Sequence, residues 1–359
     1  MEAARPIRVK LWRRVAPMVV VSAFYYGVLV YPVLRILGLA WPYWQPGTWQ
    51  LLAIMVGPLA GRLAYEAIPC SATRWLSAVA LTWLGICFVA FTLVLSWEVA
   101  NLLLPLPGRE SGWGLLALTG FACLVGYVNA QRVAVKRFEV PAPQIGKPMR
   151  IAQISDVHVG SRSGRFLRRV VKRTNAQRPD LVFITGDLVD FRDISQRELS
   201  SLSDVDAPTY FVIGNHERYV DCEAICERLE NLGVHVIRNA TVKLDGIQLI
   251  GIDDAEPKTQ VGKVLQTLEP DPYRYRILLY HRPDGARDAA AWGANLMLCG
   301  HTHAGQIVPF NLLVKRVFPR IRGIYRVDGL TLYVSPGTGT WGPILRLGSR
   351  SEISIMNLA

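Results

Sequence analysis

Trp75 to Trp97 runs for 23 residues without an Asp, Glu, Lys or Arg. Nothing else in the chain limits its fold as much. About 20 apolar residues in a helix, rising 1.5 Å each, cover the roughly 30 Å of hydrocarbon in a bilayer. Two more segments, Val15 to Leu34 and Gly112 to Gln131, are each uncharged for 20 residues. A fourth, about Gly47 to Leu63, is interrupted by Pro58 and Arg62. Trp41, Tyr43, Trp44, Trp75, Trp97 and Trp113 fall near segment ends, where amphipathic rings favour the headgroup zone. Arg35 is expected at a helix end, with its charged head reaching out to the interface. Residues 1–138 are therefore expected to form an N-terminal α-helical transmembrane region of about four helices. A linker at 139–148 and a second domain at 149–359 would follow.

Charge supports this division. Residues 1–138 hold 12 Lys and Arg against 4 Asp and Glu, and the remainder holds 28 against 24. A basic excess concentrated in the apolar half points to membrane topology, not to nucleic-acid binding. The basic stripe with interleaved aromatics that marks nucleic-acid binding is missing, so no nucleic-acid partner is expected. Arg5, Arg8, Lys10, Arg13, Arg14, Arg62, Arg74, Arg132, Lys136 and Arg137 fall on one side of a four-span topology; Arg35 and Arg109 fall on the other. That bias predicts an inside N-terminus and an inside second half. Two alternatives compete. Arg13-Arg14 before an apolar run has the look of a cleaved signal, although three further spans follow. If the weak segment only lay in the interface, three crossings would move the second half outside. The six cysteines do not form a disulfide framework by spacing, so free thiols are expected.

From Met149 the pattern becomes short apolar runs alternating with amphipathic stretches, about Gly164 to Gln177 and Asp221 to Asn231. Such alternation indicates a layered α/β domain. Five of the six histidines come just after predicted strands. The strand ends read Asp156-Val-His158, Gly186-Asp187-Leu-Val-Asp190, Gly214-Asn215-His216-Glu217, His281, and Gly300-His301-Thr-His303. His235, inside the apolar run VHVI, is expected to be structural. Ligands of α/β sheets bind beyond the carboxyl ends of the strands, and Gly permits the tight turns that let separate loops converge. Imidazole, carboxylate and amide donors without a thiolate suit Mn, Fe or Zn better than a structural zinc cage. Asp156, His158, Asp187, Asn215, His281, His301 and His303 are too many for one ion and match two ions sharing a carboxylate.

In order, the series DVH, GDLVD, GNHE, a lone His and GHTH resembles the calcineurin-like metallophosphoesterase superfamily. The resemblance covers about Pro148 to Leu358. GHTHAGQI and YVSPGTGTWGPILRLGSRSEI are similar to a bacterial, membrane-anchored branch. The resemblance implies a four-layer α/β/β/α sandwich and two divalent metal ions. Asp156, His158 and His303 would hold one ion, Asn215, His281 and His301 the other, and Asp187 would bridge them. His216 would stabilise the transition state or protonate the leaving group. Glu217 would orient His216, with Asp190 nearby. Two ions about 3.5 to 4 Å apart clamp a phosphoryl group and activate a water. The implied protein is a metal-dependent phosphoric ester hydrolase of the bacterial inner membrane, its catalytic domain cytoplasmic. It would act on a phosphoester or pyrophosphate of a phosphorylated, lipid-like or nucleotide-linked substrate. The alternative is a membrane scaffold or transport protein whose phosphoesterase domain is inactive. The complete donor set disfavours it, as do spans that lack charge apart from Arg62.

Three further features stay open at this level. Arg162, Arg165, Arg168 and Arg169 read as a solvated helix face or as an anion site. Trp341, in the Gly-rich PGTGTWG, belongs beside the site or in the core; without a following Lys-Ser/Thr the stretch is no P-loop. Val308 to Ile321 mixes apolar and basic residues, as an interfacial segment or a buried loop would.

Overall fold

The computed structural model describes residues 12–359, with side chains from residue 21 onward. Arg5, Arg8 and Lys10, and the side chains of Arg13 and Arg14, lie outside the described part. Helices α1 (Trp12–Leu29) and α2 (Tyr31–Ala40) form one apolar path broken at Val30. Pro32 in the first turn of α2, with no N–H to donate, sets that break. Helices α3 (Thr48–Ala67), α4 (Ser71–Leu103) and α5 (Gly108–Gln131) complete the bundle.

Among the described residues, three stretches are long and apolar enough to cross a membrane: Val21–Ala40, Ser71–Leu103 and Gly108–Gln131. The segment expected as the fourth span is a 20-residue helix, α3, but falls short of the other three in apolarity. It carries an Arg62–Glu66 ion pair near its end and Pro58 inside. Its Leu52, Val56, Leu59 and Leu63 nevertheless form an outward apolar stripe at helical spacing, each 44% exposed or more. Arg35 is not at a helix end. It lies within α2 and pairs with Glu98 of α4 at 2.7 Å, its guanidinium over the Trp97 ring.

A single residue, Arg132, separates α5 from strand β1 (Val133–Val140). The remaining elements are β2 (Met149–Ile154), α6 (Gly164–Asn175), β3 (Leu181–Thr185), α7 (Gln196–Leu199), β4 (Thr209–Val212), α8 (Asn215–Tyr219), α9 (Cys222–Glu230), β5 (Val234–Val236) and β6 (Ala240–Leu244). They continue with β7 (Ile247–Ile252), α10 (Gln260–Leu265), β8 (Tyr275–Tyr280), α11 (Ala286–Trp292), β9 (Leu296–Cys299), α12 (Phe310–Val317), β10 (Gly323–Val327), β11 (Leu330–Val334) and β12 (Ser351–Leu358).

Two six-stranded sheets result, ordered β1-β12-β2-β3-β4-β5 and β10-β11-β9-β8-β7-β6. Each has a parallel centre: β2 to β5 in the first, β11, β9, β8 and β7 in the second. Successive strand residues point to opposite faces, so both faces must find cover. Ile151, Phe183 and Val212 meet Leu249, Ile277 and Leu298 between the sheets. Their neighbours Ala152, Val182 and Ile184 turn outward onto Phe166, Leu167 and Val170 of α6. On the other flank Ile250, Leu278 and Met297 lie under Val261 and Leu265 of α10 and Ala286 and Ala289 of α11. The domain is therefore the expected α/β/β/α sandwich.

The boundary expected near residue 138 does not describe this arrangement. β1 pairs in parallel with β12 from Val133↔Ser351 to Val140↔Leu358. The sheet thus begins one residue after a membrane helix, and most of the expected linker is a connection between two strands of that sheet. Lys136 and Arg137 hid the strand; charged residues on a sheet edge read like linker. Arg162 is also not solvated. It is 3% exposed, donates to Ala130 O at 3.2 Å and Gln131 Oε1 at 3.1 Å, and covers the Phe166 ring at 3.9 Å. It clamps the end of α5 onto α6, while Arg165 and Arg168 are exposed.

More contacts join the bundle to the sandwich. Arg74 at the start of α4 pairs with Glu198 at 2.8 Å and Asp193 at 3.4 Å. Arg346 N donates to Gly126 O of α5 at 2.9 Å. A Cβ on Gly85 of α4 would sit 2.5 Å from Pro343 Cβ, so only Gly allows the helix backbone this close. Val89 of α4, Ile307 and Leu345 form a shared apolar cluster.

Candidate metal centre

The turns that leave β2, β3, β4, β8 and β9 meet at one end of the sandwich. Asp156 (φ 54°), His158 (56°), Asp187 (51°), His301 (71°) and His303 (48°) are all in the left-handed region. That conformation costs an L-residue on the order of 1–2 kcal/mol and persists where surrounding bonds over-determine it. Here Asp156 N donates to Gly186 O and His158 N to Asp187 O, both at 3.1 Å. His301 N donates to Asp156 Oδ1 at 2.9 Å. A Cβ on Gly300 would collide with Ser155 Oγ and Asp156 Oδ2, so this turn too requires glycine.

The donors converge in two groups. Asp156, His158 and His303 bring one ligand atom each within 4.8 Å of one another, as do Asp187, His281 and His301. In the first group His158 Nε2 faces His303 Nε2 at 2.9 Å, and Asp156 Oδ1 is 3.4 Å from His303 Nε2. In the second, His301 Nδ1 is 3.2 Å from His281 Nε2, which is 3.1 Å from Asp187 Oδ2. Asp187 Oδ2 also lies 4.0 Å from His158 Nε2, so it looks toward both groups. His281 Nδ1 is held by Thr185 O at 2.8 Å, which leaves Nε2 free to point inward. Asn215 Oδ1 is buried with no hydrogen-bond partner among the described residues. Facing imidazole nitrogens, a carboxylate oxygen between the groups and an orphaned amide oxygen fit a pair of divalent ions.

Glu217 stands differently from expectation. Glu217 does not orient the His216 ring. Its Oε1 accepts from Leu188 N (2.7 Å) and Val189 N (3.1 Å), and its Oε2 from Asp187 N (2.9 Å) and Gly214 N (2.8 Å). The carboxylate ties the turn after β3 to the turn after β4. Asp190 holds the ring instead: its Oδ1 is 2.8 Å from His216 Nδ1 and also bonds His158 Nδ1. Ser161 Oγ donates to the other Asp190 oxygen. The His216 ring stands at the rim, 17% exposed, with Nε2 3.9 Å from Asp187 Oδ2. His235 is exposed and stacks on Tyr210, away from the centre.

The protein's own charges divide these groups. Burial pulls His216 down, but the hydrogen bond to Asp190 and the charge of Asp187 outweigh it and hold His216 up at about 9. Burial also pulls His281 down, and Asp187 reverses it to about 10. At His301 the charge of Asp187 is too weak to compensate; burial and His281 push it down to about 3. His303 falls too, through burial, His158 and Arg346. Burial raises the Asp156 carboxyl. It would raise Asp187 and Asp190 as well, but the surrounding histidines bring both below the usual carboxylate range. Glu217 is raised by burial and by Asp187.

Two neighbours had no sequence signal. Arg346 is fully buried and donates to Gly339 O at 2.7 Å, Gly337 O at 3.2 Å and His303 O at 3.3 Å. It fixes the Gly-rich loop under His303, and burial lowers it to about 10. Asp254, after β7, accepts from Arg218 and Arg282 at 3.1 Å each, joining α8 to the turn after β8. Trp341 is 52% exposed beside the centre, its ring 6.4 Å from that of His216. Most of the 308–321 stretch is not a buried loop. It forms α12, with no buried residue, followed by Phe318 against His301.

The sequence profile of the calcineurin-like phosphoesterase family matches residues 149–305. An uncharacterised metallophosphoesterase of Campylobacter jejuni is 31% identical over 298 residues, covering 76% of this chain and 78% of that protein. One from Helicobacter pylori strain J99 is 34% identical, covering 68% of each. A transmembrane protein with metallophosphoesterase domain from Danio rerio is 35% identical, covering 67% of this chain and 60% of that protein. The chain belongs to the calcineurin-like metallophosphoesterase family. Its apolar helices and its likeness to transmembrane relatives indicate membrane association.

Proposed function

We propose that the protein is a membrane-anchored dimetal phosphohydrolase, and the placement of Asp187 carries the reading. One oxygen of Asp187 faces both donor groups, while Asn215 Oδ1 has no other partner. Asp156, His158 and His303 would hold one Mn, Fe or Zn ion; Asn215, His281 and His301 would hold the second; Asp187 would serve both. When bound, the ions supply a charge clamp for the phosphoryl oxygens and a water activated for in-line attack. The chain supplies the rest. Asp190 fixes the His216 ring, so its Nε2–H points into the cleft and can protonate the departing oxygen. Glu217 and Arg346 hold the donor-bearing turns in their strained geometry, and the apolar strands beneath exclude water. A scaffold without catalysis would have no need for seven converging donors.

The substrate is a phosphoester or pyrophosphate that is lipid-like or nucleotide-linked, since the membrane helices wall the cleft. The catalytic domain lies in the cytoplasm, against the inner membrane. Supporting this side, Arg62, Arg74 and the end of α5 all stand where the bundle meets the sandwich. The outward apolar stripe of α3 supports a fourth lipid-facing helix. To test the activity, the full chain in detergent is given bis(p-nitrophenyl) phosphate with Mn²⁺, Fe²⁺ or Zn²⁺, beside Asp187→Asn and His216→Ala. Equal inertness of wild type and both variants with every metal would remove the enzyme reading. A C-terminal reporter active only in the periplasm would reverse the topology.

A further inference from the structure

An apolar cavity of about 450 Å³ opens at the metal centre and runs away from it toward the membrane helices. Its near end is formed by Asp187, Asn215, His216, His301 and His303. The far walls are Val28 of α1, Leu84 and Phe88 of α4, and Phe310, Val314 and Phe318 on and after α12. The volume is within the roughly 300–1,000 Å³ of ordinary ligand pockets, yet among the described residues the far walls offer no charged group. Phosphate alone would gain nothing from such walls, because its oxygens need donors. A hydrocarbon chain needs only surface to bury.

Geometry gives this chain an entrance. Phe310 meets Phe88 edge to face at 6.1 Å, so α12 leans on a membrane-spanning helix. The outer side of α12 exposes Leu312, Leu313 and Val317 beside Lys315 and Arg316, as a helix in the headgroup zone does. On the other side of Trp341 and Pro343, a second cleft leads from His216 to Arg62, Arg192 and Tyr219. The two spaces share His216. One side of the centre is therefore apolar and continuous with the bundle, and the other sets charged side chains, Arg62, Glu66 and Arg192, among apolar walls.

From this asymmetry we infer that the cavity between α1, α4 and α12 binds the hydrocarbon chain of a lipid phosphoester, setting its phosphorus beside His216. This rests on the phosphohydrolase reading above and narrows its substrate to molecules with an alkyl chain attached through phosphate. The polar group on the far side of phosphorus points into the Arg62 cleft. Val314 acts through packing alone and touches no reacting atom.

The test uses the full chain in lipid nanodiscs with p-nitrophenyl alkyl phosphates carrying methyl, octyl or dodecyl chains. Water cleaves the P–O bond to the aryl group, releasing p-nitrophenol and the alkyl phosphate. Longer chains partition into any bilayer, so the measured quantity is the dodecyl-to-methyl ratio of kcat/KM in wild type, Val314→Trp and Leu313→Ser. Val314→Trp fills the cavity; Leu313→Ser alters only the outer face of α12. The expected ratio in Val314→Trp is about tenfold below wild type, the equivalent of roughly two buried methylenes, with Leu313→Ser near wild type. An unchanged ratio in Val314→Trp overturns the assignment and leaves bulk lipid or the chain's own first residues as occupants. Binding of non-hydrolysed dodecylphosphonate against methylphosphonate, in wild type and both variants, separates the two readings. Chain-dependent binding lost in Val314→Trp, without turnover, would keep the cavity and discard the phosphohydrolase; equal binding of both phosphonates would discard the cavity.

Discussion

Asp190 Oδ1 lies 2.8 Å from His216 Nδ1 while bonding His158 Nδ1 with the same atom. One carboxylate oxygen thus sets the ring of a proposed metal donor and the ring of the proposed proton donor. Asp190→Asn can keep an oxygen toward both rings, with its NH₂ turned to Ser161 Oγ, but it removes the negative charge that holds them. The expected loss in kcat/KM is about 10- to 100-fold, the usual effect of removing a partner that orients a metal-bound histidine. Metal analysis alongside kinetics checks it: fully retained metal and full activity would mean the bridge is dispensable.

Glu217 has a different task, and its loss should appear in stability. Gln in its place keeps one oxygen but turns an NH₂ group toward two backbone donors. With four buried N–H groups depending on this carboxylate, Glu217→Gln is expected to cost about 3 kcal/mol. Urea unfolding of the purified protein measures this; an unshifted midpoint contradicts the role.

His301 and His303, though two residues apart, belong to separate donor groups. His303→Ala is expected to remove mainly the ion at Asp156 and His158, and His301→Ala mainly the ion at Asp187 and His281. Metal stoichiometry should fall from about two to about one in each variant, following the two-ion arrangement. Loss of both ions from either variant would point to one cooperative site.

Gly85 tests the joint between bundle and sandwich. A leucine there has nowhere to go except into Pro343 and the Gly-rich loop under His303. Overpacking of this kind costs about 1–3 kcal/mol. Gly85→Leu should therefore lower both the thermal midpoint and the phosphodiesterase rate, whereas Gly114→Leu, with open space around it, should lower neither.

Much of the centre was legible because its donors sit where parallel strands end, and strands announce themselves as apolar runs. Asp187 and the histidines needed only that position. The division of labour between Asp190 and Glu217 was not legible. Which carboxylate reaches which group depends on how two turns, 26 or more residues apart in sequence, lie against each other. β1 was hidden by its own exposed Lys136 and Arg137, and its partner is more than 200 residues downstream. Arg162 looked like surface because helical periodicity identifies the face that is buried by α6's own sheet, not the end that receives α5. The stripe on α3 illustrates the reverse: its residues are apolar and outward, as the lipid-facing role proposed for that helix requires.

The one-residue passage from α5 into β1 has a mechanical meaning. A domain on a flexible tether can sweep a hemisphere and sample soluble molecules from any direction. Here the helix axis and the sheet edge are parts of one continuous girder, braced again by Arg162 and by Gly85 against Pro343. For the membrane-anchored enzyme proposed above, the mouth of the centre would keep a fixed height and tilt above the lipid plane. Encounters with a lipid substrate would then be governed by lateral diffusion in two dimensions, and the abundance that matters would be molecules per unit of membrane area.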